Sequence, residues 1–149
     1  MERPDGSRIR KRDSSAVSND LAGVKILLAE DNDLNAEIAT IQMERLGAQV
    51  TRAADGKQAV RAFAQNPPGA FDVILIDIMM PEMNGYEATA AIRGLADRPD
   101  ALQIPILAMT ANAFAEDVQA SLDAGMNGHL SKPIVMGEVV KMIARNLGI

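Results

Sequence analysis

Three apolar runs, far apart in the chain, each lead into residues suited to handling phosphate. Ile26–Ala29 runs into Glu30 and Asp31, Val73–Ile76 runs into Asp77, and the short stretch around Leu130 runs into Lys132. A fourth run, Ile106–Met109, ends at the hydroxyl of Thr110. Three carboxylates brought together repel one another, at about 3 kcal/mol per pair for a separation of ~5 Å and an effective dielectric of ~20. A bound cation is the natural remedy. Oxygen donors in a chain without cysteine point to Mg²⁺. With the charge offset, one carboxylate can attack phosphorus as a nucleophile, and Asp77 is the candidate because it stands alone on its run. Lys132 and Thr110 are then suited to hold the transferred phosphoryl oxygens and spread their charge.

Taken singly, each of these residues has an ordinary reading. An acidic pair before a helix is a common cap, a lysine before proline a solvated loop residue, and a threonine at a strand end an unremarked hydroxyl. The coincidence argues otherwise, because all five fall at the carboxyl ends of expected strands.

The elements that must position them alternate between strand and helix. Val24–Ala29 reads as a strand, and Leu34, Ile38, Ile41 and Leu46 follow helical spacing up to Gly47. Ala48–Ala53 alternates polar and apolar as an edge strand does, and Asp55 caps a helix with Ala59, Val60 and Phe63 on its inner face. Val73–Ile76 is a fully apolar central strand, followed by a proline-containing loop and a helix over 85–95. Ile104–Met109 reads as a fourth strand with Pro105 near its start, then a helix over 114–124, a short strand over 128–130, and a final stripe of Val139, Val140, Ile143 and Leu147. Five such units predict an α/β fold, a flavodoxin-like (βα)5 three-layer sandwich with a parallel sheet of order 2-1-3-4-5. Its switch point lies between strands 1 and 3, where Glu30, Asp31 and Asp77 sit. No glycine-rich phosphate loop follows the first strand, which removes the usual nucleotide-binding readings.

Composition narrows the classes further. The 149 residues carry a net charge of -5, are 48% hydrophobic and contain no cysteine. That is one domain with a full core, without disulfides or thiol chemistry. The absence of an apolar h-region or a long apolar run makes a cytoplasmic location the expectation, with no membrane partner. Residues 1–22 read as a disordered tail or linker ahead of a domain over 23–149, since scattered Ile9, Ala16 and Val17 cannot bury enough surface to order them. The first 20 residues hold five basic and four acidic side chains, so the remainder carries -6 and is no nucleic-acid-binding face.

The quintet Glu30, Asp31, Asp77, Thr110 and Lys132, in the settings LLAEDN, DVILIDIMMPEMNG, ILAMTA and HLSKP, resembles the receiver domain of two-component response regulators. The wording MTANAF and AGMNGHLSKPI is most similar to receivers of hybrid sensor histidine kinases. The resemblance implies Asp77 as phosphoacceptor, Asp31 as a direct Mg²⁺ ligand, Glu30 as a ligand through water and the Met79 carbonyl as a further ligand. It implies a phosphoryl contact from Lys132, and a histidine kinase or histidine phosphotransfer protein as partner. It also leaves room for a phosphorylation-dependent dimer. His129 stands where such domains usually carry Tyr or Phe, which implies a switch in which it turns inward as Thr110 moves toward phosphate. Glu30 replaces the more typical Asp.

A phosphotransfer donor must bring its imidazole to Asp77, so Leu34, opening the first helix, and Ile134, following the Lys132–Pro133 turn, are candidate docking residues. Two rival readings compete with the receiver. A phosphohydrolase using Asp77 would usually carry a second Asp two residues on, where this chain has Met79. A binding-only pseudo-receiver would normally lack a member of the quintet.

Overall fold

The computed structural model describes residues 20–111 and 115–149. Their strands are β1 (Lys25–Ala29), β2 (Gln49–Ala53), β3 (Val73–Asp77), β4 (Ile106–Thr110) and β5 (Gly128–Ser131). Their helices are α1 (Asp33–Arg45), α2 (Gly56–Gln65), α3 (Gly85–Arg93), α4 (Ala115–Asp123) and α5 (Met136–Leu147). All strand pairs are parallel, in the order β2-β1-β3-β4-β5. This is the expected flavodoxin-like arrangement, with the two more polar strands at the edges, where one side of the ladder meets water.

Side chains alternate along each strand, so the sheet feeds two cores. Ile26, Leu28, Leu75, Leu107, Met109 and Leu130 pack with α1 and α5 through Ala36, Ala39, Met43, Val139 and Ile143. Leu27, Ala29, Ile74, Ile76, Ile106 and Ala108 pack on the other side with Ala59 and Phe63 of α2 and Ala88 and Ile92 of α3. Helix starts are fixed by side chains that accept from orphan backbone N–H groups. Asn32 accepts from Asn35 N–H at 2.9 Å, Asp55 from Gln58 N–H at 2.8 Å, and Asn84 forms a reciprocal capping box with Glu87.

Three details differ from the sequence reading. The buried face of α1 is Ala36, Ala39 and Met43, whereas Leu34, Ile38 and Ile41 are exposed. The larger apolar residues suggested the opposite face, but small residues let α1 lie close on the sheet. Second, β4 begins at Ile106, because the Ile104 N–H donates back to the Asp100 carbonyl at 2.9 Å, in the 3-10 turn over Pro99–Leu102, and Pro105 cannot donate to the ladder. Third, three strands run one residue further than expected: β3 includes Asp77, β4 includes Thr110 and β5 includes Ser131. The expected tail lies mostly outside the described residues, as does the motif segment from Asn112 to Phe114 and with it the expected start of α4. Among the described residues no helix is long and apolar enough to cross a membrane.

Packing extends upstream of β1. Leu21 is wholly buried, its N–H donates to the Leu46 carbonyl at 2.8 Å, and Gly23 N–H donates to the Gly47 carbonyl at 3.1 Å. Gly47 adopts φ 98°, and a Cβ there would come within 2.8 Å of Ala22 Cα, so this turn requires glycine. Leu21→Ala is expected to lower the unfolding free energy by about 3 kcal/mol. A urea melt reads this directly, and a value near zero would mean that Leu21 only rests on the surface.

Candidate functional site

In the ladders Ala29 is level with Ile76, and Asp77 with Met109. Glu30, one step beyond β1, therefore stands level with Asp77, and its N–H extends the β2 pairing by donating to the Ala53 carbonyl at 3.1 Å. Glu30 and Asp77 are buried and Asp31 is exposed, yet the three carboxylates offer oxygens within 4.8 Å of one another. Lys132, from the loop after the edge strand β5, reaches in between two of them. Its Nζ lies 2.8 Å from Glu30 Oε1 and 2.9 Å from Asp77 Oδ2. Thus four of the five sequence-identified residues meet in one cleft.

The remaining oxygens of the buried pair are also held. Glu30 Oε2 accepts from Asn32 N–H at 3.0 Å, and Asp77 Oδ1 accepts from Met79 N–H at 3.1 Å. Asp31 makes no hydrogen bond or ion pair within the described residues and opens to solvent. Burial pulls the Lys132 pKa down, but the hydrogen bonds and charges of Glu30 and Asp77 outweigh it, leaving the ammonium above its ordinary value. The cleft thus has a fixed buried pair, an open third carboxylate and one cation bridging the pair. Hard oxygen donors with an open side fit Mg²⁺, which keeps several waters.

The loop between β3 and α3 closes tightly on this site. Gly85 N–H donates to the Ile78 carbonyl at 2.9 Å, and a Cβ on Gly85 would come within 2.6 Å of the Asp77 carbonyl. Only glycine lets α3 start so close to the end of β3. Met79 lies in this loop with its side chain exposed, while its backbone reaches Asp77.

Thr110, buried at the end of β4, joins through the main chain: its carbonyl accepts from Lys132 N–H at 2.8 Å. By strand alternation Glu30 and Asp77 point to the α1–α5 side, whereas Thr110 and His129 share the opposite side. His129 is half-buried and pairs in register with Ala108. It does not reach the acidic cleft. Leu34 is 64% exposed at the start of α1, and half-buried Ile134 lines a groove of about 420 Å³ that runs from Glu30 and Lys132 along Ile38 and Met109.

Two contributors were missed in the sequence. Asn32 caps α1 while holding Glu30, and the EDN wording carried that cap signal. Arg52 donates to the Glu30 carbonyl through Nε at 3.0 Å and Nη2 at 2.8 Å. An arginine on an edge strand ordinarily reads as solvated, so nothing local marked it.

The sequence profile of the response regulator receiver domain matches residues 26–144. Histidine kinase 1 of Arabidopsis thaliana is 39% identical over 144 residues, covering 76% of this chain and 12% of the kinase. The curated relatives it matches are far longer, and the chain spans 7% to 14% of their length. Among solved structures, the receiver domain of a sensor histidine kinase from Pseudomonas aeruginosa has 39% identity and a TM-score of 0.75, covering 86% of this chain and 100% of that one. That structure holds a magnesium ion coordinated in its active-site cleft. The receiver domain of the Saccharomyces cerevisiae response regulator Ssk1, crystallised with the histidine phosphotransfer protein Ypd1, is similar at 25% identity and a TM-score of 0.71, covering 83% of this chain and 88% of that one. With the fold, the acid–lysine cleft and these relatives in agreement, the chain belongs to the family of response regulator receiver domains, modules of two-component signalling that hybrid sensor histidine kinases also carry.

Proposed function

We propose that the domain is a phosphoacceptor in a two-component or phosphorelay pathway, taking a phosphoryl group from phosphohistidine onto Asp77. The observation that carries this reading is the Lys132 ammonium held at 2.8 and 2.9 Å between Glu30 and Asp77, beside the open Asp31 carboxylate. Asp31, Asp77 and the Met79 carbonyl would hold Mg²⁺ directly, and Glu30 through a water. The ion, when bound, neutralises charge on the transferring phosphoryl group. The magnesium in the Pseudomonas relative supports this donor set.

In the transfer, an Asp77 oxygen forms the new O–P bond as the N–P bond of the donor breaks, and the released imidazole takes its proton from solvent. Lys132 then moves with the phosphoryl oxygens, and the Thr110 hydroxyl donates to them. His129 turns into the space that Thr110 vacates, which biases a pre-existing equilibrium between two shapes of the domain. The cysteine-free sequence fits a cytoplasmic setting. The test is incubation with an acetyl-phosphate-class donor, with and without Mg²⁺. One phosphoryl group should be gained, labile to hydroxylamine, and chelating the metal should prevent it. A binding-only pseudo-receiver would gain nothing in either arm.

The donor is a helix-bundle phosphotransfer protein or histidine kinase that docks across α1. Exposed Leu34 and Ile38, with Ile134 in the adjoining groove, form an apolar rim beside an otherwise acidic cleft. The complex of the yeast relative with a histidine phosphotransfer protein supports such a partner. Because Leu34 is 64% exposed, Leu34→Ala should leave the melting temperature and small-molecule phosphorylation unchanged. Transfer from the partner should slow about tenfold, the equivalent of ~1.4 kcal/mol of lost contact. Unchanged transfer would move the docking surface elsewhere.

A further inference from the structure

We propose that Arg52 is a positioning residue for the acidic pair, fixing the Glu30–Asp31 peptide so that both carboxylates face one cation site. This rests on the reading above that the pair takes Mg²⁺. Arg52 lies on the edge strand β2 with 29% of its side chain exposed, and it does not touch the cleft. Its guanidinium forks onto the Glu30 carbonyl, with Nε at 3.0 Å and Nη2 at 2.8 Å, while Nη2 also lies 2.9 Å from Asp33 Oδ1. The Glu30 N–H is taken by the Ala53 carbonyl at 3.1 Å. Consecutive residues of β2 thereby satisfy both backbone groups of Glu30.

That carbonyl belongs to the peptide joining Glu30 to Asp31. Glu30 is only 3% exposed, so losing the fork would leave a largely buried acceptor in need of a new partner. Rotation of the peptide toward one would swing Asp31, whose side chain has no other restraint among the described residues. Asp33, at the start of α1, pairs with the same Nη2 that donates to the Glu30 carbonyl, so the edge strand, the acidic pair and the first helical turn are tied at one point.

Charge and orientation predict opposite outcomes here. A cation beside a cation site opposes metal binding, so by charge alone Arg52→Met would tighten Mg²⁺ and Arg52→Lys would change nothing. If the fork orients the peptide, both variants weaken Mg²⁺, because a lysine's single nitrogen cannot reproduce the planar two-nitrogen fork. We expect both to raise the Mg²⁺ dissociation constant about tenfold, as loss of the groups that orient metal ligands does. Melting temperatures should stay within a few degrees of wild type. Titration calorimetry with Mg²⁺ alone measures the affinities, and amide NMR of the metal-free proteins follows the Asp31 N–H. Weaker binding in Arg52→Lys with a displaced Asp31 signal supports the proposal. Wild-type affinity in Arg52→Lys, or tighter binding in Arg52→Met, overturns it. If wild type itself took up no Mg²⁺, the metal reading would fail separately. The Asp31 signal would still decide the role of Arg52, since an unmoved signal in Arg52→Lys rejects positioning.

Discussion

Asp77→Asn is expected to abolish stable phosphorylation, with no phosphoryl mass gained from either a phosphohistidine partner or a small acyl phosphate. The amide cannot supply the carboxylate nucleophile. Asp31 opens to solvent and is not paired with Lys132, whose ammonium lies on Glu30 and Asp77, so it lacks the contact proposed to take up the phosphoryl oxygens. The loss should not come from unfolding. Removing one of three carboxylates whose oxygens lie within 4.8 Å relieves repulsion, so the metal-free variant should melt no lower than wild type. Intact-protein mass spectrometry with hydroxylamine treatment decides the matter. Persistent label of wild-type amount would transfer the acceptor role to another residue.

Lys132→Ala should cost about 3 kcal/mol of stability in metal-free buffer, because it leaves buried Glu30 and Asp77 with uncompensated charge. Millimolar Mg²⁺ should restore part of that loss, by supplying the missing positive charge, while phosphorylation remains slowed. The pH dependence gives a second signature. The folded Lys132 pKa is raised, with burial pulling it down but the hydrogen bonds to Glu30 and Asp77 prevailing. Its stabilisation is therefore complete below the ordinary lysine value of about 10.4 and is lost as pH rises through the higher folded value. Denaturant melts of wild type should show that alkaline decline, and Lys132→Ala should lack it. Equal stability at neutral pH would mean that the two carboxylates are hydrated well enough to need no lysine.

The strands and their order were legible because buried parallel strands leave near-continuous Val, Ile and Leu runs. Val73–Asp77 and Ile106–Thr110 are buried along their whole length. The acidic pair, Asp77 and Lys132 could be placed because strand ends are where parallel sheets gather function. The inner face of α1 was not legible. Its larger apolar residues, Leu34, Ile38 and Ile41, point to the other face, yet packing there is decided by Ala36 and Ala39, whose small size matters more than their hydrophobicity. Nor could spacing reveal Arg52. Its role depends on a carbonyl 22 residues away that comes within reach only once β2 pairs with β1. The 3-10 turn before β4 was hidden because a few polar residues around Pro99 read simply as loop.

The two-sided sheet has a consequence for timing. One step along β4, from Met109 to Thr110, crosses from the α1 side to the α2–α3 side. The surface proposed for the donor and the residues proposed for the switch thus belong to different sides of one thin partition. Occupancy of the first does not exclude occupancy of the second. If the donor docks across α1 as proposed, it leaves the side carrying Thr110 and His129 uncovered, so the proposed switch can turn while the donor is still in place.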